Sequence, residues 1–232
     1  MALKTILNYS PNFNPKKRIS KQIKFIIFHY TGMKKESNAI NRLTDMKSEV
    51  SCHYLIKNNG EITNLVPDLY IAWHAGKSSW KNYKSLNQNS IGIEITNPGH
   101  EHGYKKFTQK QITSLLKLSK FLIKKYKISS KNILGHSDIA VLRKKDPGEK
   151  FPWEYLSKNK IGIWHTLNKQ DLIKNRKLKI SKIEVNIFFR NLFKIGYLKK
   201  YPKDDSKNKY LKELAKTFQR RFRQELVDGK ID

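Results

Sequence analysis

Two hydrophobic rhythms alternate through most of the chain. Dense apolar runs of strand character are separated by stretches whose apolar residues recur at helical spacing. IKFIIFHY at 23–30 is β-branched and aromatic almost throughout, as in a buried central strand; it ends at His29, with Gly32 permitting a turn soon after. Across 36–47, Ala39, Leu43 and Met46 are spaced for a short amphipathic helix. VSCHYLIK at 50–57 predicts a second strand, and Asn58-Asn59-Gly60 is a hairpin turn into EITNLVP. SIGIEITNPG at 90–99 predicts another central strand, closed by Asn97-Pro98-Gly99. From Thr108, a candidate N-cap, residues Ile112, Leu115, Leu116, Leu118, Ser119 and Leu122 line one face of a helix running to Lys127. This alternation predicts α/β packing rather than a helical bundle.

KNILGHSDIAVLRKKDPGEKFPW at 131–153 follows neither rhythm. Ile133 and Leu134 deliver Gly135 and His136; Lys144 and Asp146 follow, and Pro147-Gly148 turns the chain. The pattern predicts a loop that carries chemistry, anchored at its far end by Phe151, Pro152 and Trp153, with a short helical turn from Glu154. Beyond Gly162 the character changes. Lys169 to Lys182 is strongly basic, 184–197 and 209–227 have helical amphipathicity, and YPKDDSKN at 201–208 is a break between them. These helices make a small appendage, 169–232, on a main domain spanning 1–168; a binding module and a brace are both open readings of it.

Composition sharpens this only in part. The 232 residues suffice for a substantial core, and 48 Lys and Arg against 19 Asp and Glu give +29 at pH 7, a field that favours polyanions without choosing among nucleic acid, acidic lipid and an acidic wall polymer. The basic residues are dispersed and carry no nucleic-acid motif, which argues against a nucleic-acid partner. Cys52, the only cysteine, excludes an intrachain disulfide and a multi-cysteine zinc knot, and is expected to pack rather than react. The opening MALKTILNYSPNFNPKKR lacks a secretory apolar core, and no later run is long enough to span a bilayer, so the chain reads as soluble with its compartment open.

Candidate chemistry sits at the ends of the strand-like runs. Glu94 lies among Ile91, Ile93 and Ile95, a costly place for a carboxylate unless it faces a polar cavity or an ion; a satisfied salt bridge is the plainer alternative. His29 closes its strand, where a hydrogen-bonded rim histidine is the alternative to a ligand. His29, His136 and Asp146 together can supply the three protein ligands of an open zinc site, with Glu94 as acid/base and Lys144 facing an oxyanion. Alternation lets at most one of His53 and Tyr54 face a cavity, and YIAWHAGKSSW at 70–80 offers Trp73, His74 and Trp80 either as a groove wall or as a loop pinned to the core.

The motifs FIIFHYTGM, VSCHYLIKNNG, AWHAGKSSW, LNQNSIGIEITNPG and ILGHSDIAVLRKKDPGEKFPW, in this order across residues 9–165, resemble the zinc-dependent N-acetylmuramoyl-L-alanine amidases of the type-2 amidase family, which also resemble peptidoglycan-recognition proteins. The resemblance implies a mixed central β-sheet flanked by helices and a groove across one Zn2+ ion. It assigns His29, His136 and Asp146 to the metal, Glu94 and Lys144 to catalysis, and His53, Trp73 and His74 to substrate positioning, with Trp80 a weaker candidate. The implied substrate is peptidoglycan or its muropeptide fragments, and the implied reaction is hydrolysis of the muramoyl–L-alanine amide. A non-catalytic recognition protein is the alternative within this resemblance, set against all three ligand positions being filled. Val141-Leu142 depart from the Pro-Gly of many relatives. FQRRFRQELVDGKID is similar to the helical, peptidoglycan-binding extension of longer members, and departs from it at Arg221.

Overall fold

A computed structural model describes residues 3–176, 180–199 and 207–231. Strands are β1 (Ile6–Leu7), β2 (Phe13–Asn14), β3 (Phe25–Tyr30), β4 (Tyr54–Ile56), β5 (Ile62–Asn64), β6 (Ile71–Ala72), β7 (Ser79–Trp80), β8 (Tyr83–Lys84), β9 (Ser90–Ile95) and β10 (Ile133–Gly135). Helices are α1 (Glu36–Thr44), α2 (Gln109–Tyr126), α3 (His136–Ile139), α4 (Trp153–Lys158), α5 (Lys169–Asn175), α6 (Lys182–Ile195) and α7 (Lys207–Phe222). Six strands form the central sheet in the order β1-β5-β4-β9-β3-β10. Only the β4–β5 hairpin is antiparallel, so the sheet is mixed and its central strands are parallel. The apolar runs of β3 and β9 are explained by cover on both faces.

On one face Ile26, Phe28, Ile91, Ile93 and Ile95 pack against Leu115, Leu118 and Leu122 of α2. That helix begins where the sequence places it: the Thr108 hydroxyl accepts from the Gln111 amide, and the Gln111 side-chain oxygen accepts from the Thr108 amide. Gln111 Nε2 also donates to the Thr96 carbonyl at 2.7 Å, tying the helix start to the end of β9. Phe151 and Trp153 are buried beside Phe28, ring centroids 5.2 and 5.7 Å away, and anchor the 131–153 stretch as expected. The opposite face carries Phe25, Ile27 and Leu134, and these pack with Phe189, Leu192, Tyr210 and Leu214 of the C-terminal helices. The helical region therefore shares a hydrophobic core with the sheet.

Several elements are shorter than their patterns predict. The helix from residue 36 stops at Thr44, and Met46 stands exposed in a 3-10 turn, because the Asp45 side chain accepts from the Lys47 amide and caps that turn instead. The strand expected over 50–57 starts at Tyr54, since Ser51 pairs with the Trp73 carbonyl rather than with the sheet. The 131–153 stretch is not all loop: β10 runs straight into the single turn of α3, whose Asp138 carboxylate accepts from the Gly135 amide at 2.8 Å. Most of the expected break at 201–208 lies outside the described residues.

Candidate metal centre and substrate cavity

The site stands at the carboxyl ends of the parallel strands, where the chain leaves the sheet and side chains from separate strands converge. His29 and Glu94 are direct partners across β3 and β9. On the other side of β3, Gly135 pairs with Phe28, so His136 emerges beside His29. Asp146 returns from the following loop and is fixed there by the Ser137 amide, which donates to its carbonyl at 2.9 Å. Gly135 makes this return possible: a Cβ there would lie 2.7 Å from Pro147 Cδ.

Three side-chain atoms meet. His29 Nδ1 and His136 Nδ1 are 2.9 Å apart, and each is 3.1 Å from Asp146 Oδ2. All three residues are buried. The surrounding hydrogen bonds settle which ring nitrogens carry protons. Ser90 Oγ donates to the Leu86 carbonyl at 2.6 Å and thus accepts from His74 Nε2 at 3.1 Å. His74 Nδ1 is then the acceptor for His29 Nε2 at 3.1 Å, which leaves His29 Nδ1 bare. His136 Nε2 donates to the Ala75 carbonyl at 3.1 Å, so its Nδ1 is bare as well. Two imidazole lone pairs and a carboxylate oxygen consequently face one point. A cation satisfies all three, and the separations are close to the edge of about 3.3 Å expected among tetrahedral ligands with bonds near 2.0 Å.

The electrostatics agree. Burial would raise the Asp146 carboxyl, but His136 and His29 outweigh it and hold the group well below the usual carboxylate range. Burial and then His136 lower His29 to about 4, keeping it neutral as a metal ligand must be. Glu94 behaves oppositely. Burial, and next the Asp146 charge, raise it to about 8 against the opposing pull of Lys144. Its Oε2 is buried without a hydrogen-bond partner among the described residues, although the side chain reaches the cavity. That cavity has a volume of about 520 Å³ and is lined by Glu94, His136, Lys144 and Asp146 among others.

The profile of the N-acetylmuramoyl-L-alanine amidase family matches residues 19–149, more than half of the chain. The chain belongs to this family. N-acetylmuramoyl-L-alanine amidase AmiD of Escherichia coli (strain K12) is 33% identical over 223 residues, covering 91% of this chain and 79% of AmiD. The 1,6-anhydro-N-acetylmuramyl-L-alanine amidase AmpD of Haemophilus influenzae is 43% identical over 110 residues, 47% of this chain and 58% of its own. Among solved structures, AmpDh3 of Pseudomonas aeruginosa in complex with anhydromuramic pentapeptide aligns with a TM-score of 0.78 at 31% identity over 94% of this chain and 89% of that one.

Not every residue named from the amidase motifs reaches the cavity. Trp73, 36% exposed, and His74 line it, but both nitrogens of His74 are committed to His29 and Ser90. His53 is fully buried behind His74, ring centroids 5.7 Å apart; its Nδ1 accepts from the Gly92 amide and its Nε2 faces the Tyr70 carbonyl and Arg18. Burial and then Arg18 lower it to about 3, so it supports the floor as a neutral ring and does not line the groove. Trp80 is a core residue, packed edge-on against Tyr197 at 4.8 Å, and Cys52 is buried with its thiol directed at the Tyr54 carbonyl. Sequence reasoning missed Ser90, although alternation along β9 puts it on one face with Gly92 and Glu94. It also missed Arg143, which donates through Nη2 to the Ala75 and Lys77 carbonyls and stands on the amidase cavity wall. No local signal separates Arg143 from the two lysines that follow it.

Proposed function

We propose that this amidase uses one zinc ion, held by His29, His136 and Asp146, to hydrolyse the amide joining N-acetylmuramic acid to L-alanine in muropeptides and peptidoglycan. The observation that carries the reading is the convergence of two bare imidazole nitrogens and a carboxylate oxygen beside a carboxyl group of raised pKa. Zinc in such a site polarises a carbonyl and activates water at neutral pH. Glu94 supplies the proton traffic: as a carboxylate it removes a proton from the attacking water, and once protonated it returns that proton to the departing alanine nitrogen. Burial raises the Glu94 carboxyl above the ordinary carboxylate range, so it can hold the proton between the two steps. The water oxygen adds to the carbonyl carbon first; the negative charge this places on the carbonyl oxygen is met by the Lys144 ammonium on the cavity wall, and the C–N bond breaks as the carbonyl re-forms and the nitrogen takes its proton. Trp73 presents its exposed ring at the same cavity, a flat apolar surface suited to a sugar face.

Relatives captured with anhydromuramyl peptides support such turnover fragments as substrates. We read residues 169–232 as part of the catalytic unit, a reading supported by their shared core with the sheet. Incubating zinc-loaded protein with purified anhydromuramyl peptides and following the products by mass spectrometry is the test. Release of free stem peptides with an N-terminal alanine is expected; intact muropeptide at the end of the reaction overturns the proposal.

A further inference from the structure

Asp138 lies two residues beyond His136 and is almost fully buried, yet it does not touch the cavity. Its Oδ2 accepts from the Gly135 amide at 2.8 Å and from Arg221 Nη1 at 2.9 Å, while its Oδ1 accepts from the Tyr197 hydroxyl at 2.6 Å. Arg221 comes from α7 and Tyr197 from the residues just after α6. The same guanidinium donates through Nη2 to the Ile133 carbonyl at 3.1 Å and stacks over the Trp153 ring, 4.1 Å from its centroid. One side chain thus grips both ends of the β10–α3 junction, Ile133 before Gly135 and Asp138 after it.

Energetics alone do not account for this arrangement. A buried ion pair gains little over apolar residues of the same shape once desolvation is counted. Arg221 Nε, moreover, is buried without a hydrogen-bond partner among the described residues, a further cost. What the pair does supply is direction. The junction it holds presents His136, and through the Ser137 amide it also holds the backbone of Asp146. Tyr197 also packs on Trp80, in the same buried cluster as Ala75, whose carbonyl accepts from His136 Nε2.

We propose that Arg221 and Tyr197 are positioning residues for the amidase centre, acting through Asp138 to set the β10–α3 junction from which His136 and Asp146 approach the metal. The C-terminal helices are therefore a working part of the catalytic unit whether or not they bind wall polymer. The inference rests on the assignment of His136 and Asp146 as ligands. Outer groups that orient metal ligands alter affinity by about 10- to 100-fold when removed. Arg221 bonds no ligand directly and acts through Asp138 and the backbone of the junction, so the lower end applies.

The test uses the full chain carrying Arg221→Met, Arg221→Lys or Tyr197→Phe, each loaded with zinc and titrated with a chromophoric chelator well below its melting temperature. Arg221→Met is expected to bind zinc about 10-fold more weakly and to lose kcat with little change in KM. Arg221→Lys, which keeps the charge but cannot bridge Ile133 and Asp138, is expected to restore melting temperature more than zinc affinity. Tyr197→Phe removes a single hydrogen bond and keeps the measurement available if Arg221→Met does not fold; a smaller loss in the same direction is expected. Zinc affinity and kcat at wild-type levels in the folded variants, with only the melting temperature lowered, reduce the helices to a brace and overturn the inference. Wild-type protein that takes up no zinc overturns the ligand assignment itself, and the inference falls with it.

Discussion

At the residue scale, the site works because neighbours decide which form of each titratable group is present. Glu94→Gln keeps the shape of the cavity but removes the proton carrier, so kcat is expected to fall by about 10²- to 10⁴-fold with bound metal retained; steady-state kinetics alongside metal analysis checks both parts. The same carboxyl has a thermodynamic signature in the metal-free protein. Its folded pKa of about 8 lies above the ordinary 4.5, so folding favours the protonated form, and that contribution is complete below pH 4.5 and lost as pH rises through 8. The Glu94 contribution to the apo melting temperature should therefore decline as pH rises from 4.5 toward 8 and level off above it, and Glu94→Gln should flatten this decline. The Ser90–His74–His29 relay offers a second test. Ser90→Ala removes the acceptor that fixes the His74 tautomer, and a loss of about 10-fold in zinc affinity is expected from chelator competition. His29 and Glu94 were legible as candidates because each interrupts an apolar strand near its end. The separate parts of His53 and His74 were not, since both stand in similar aromatic, apolar surroundings in sequence.

Among elements, the parallel pair β3–β9 carries the design: its register puts His29 opposite Glu94, and its residue 92 has no side chain. A Cβ on Gly92 would lie 2.4 Å from the His74 ring. Glycine inside a strand ordinarily costs about 0.5–1 kcal/mol against alanine, so Gly92→Ala at an open position would stabilise. Here the opposite is expected: a lower melting temperature in thermal denaturation and weaker zinc binding, because His74 must move and the relay moves with it. Element boundaries were readable wherever local chemistry sets them, as at Thr108 with its reciprocal Gln111 bond and at the Asn-Asn-Gly hairpin. They were not readable at α3. A single turn has no period, and its cap comes from Asp138, whose own partners arrive from the C-terminal helices.

For the molecule as a whole, a face of the sheet is finished by residues far along the chain. Phe25, Ile27 and Leu134 are covered by Phe189, Leu192, Tyr210 and Leu214, so a fragment ending at residue 168 would expose them to water. That fragment is expected to remain unfolded or to aggregate, seen as lost near-ultraviolet circular dichroism and void-volume elution on size exclusion; a monodisperse folded 1–168 would show the helices to be separable. Among the described residues no helix is long and apolar enough to cross a membrane. The sequence by itself determined the α/β alternation, the strands buried on both faces, and the histidine, glutamate and aspartate positions, because those depend on local period and on motifs that carry their own chemistry. Only the tertiary structure decided that two imidazole nitrogens are bare and aimed at one carboxylate oxygen, that His53 lies behind the cavity, and that Arg221 grips the junction beneath His136. The physical reason is common to all three: lone-pair direction and buried charge depend on partners tens of residues away, and no window along the chain contains both members of such a pair.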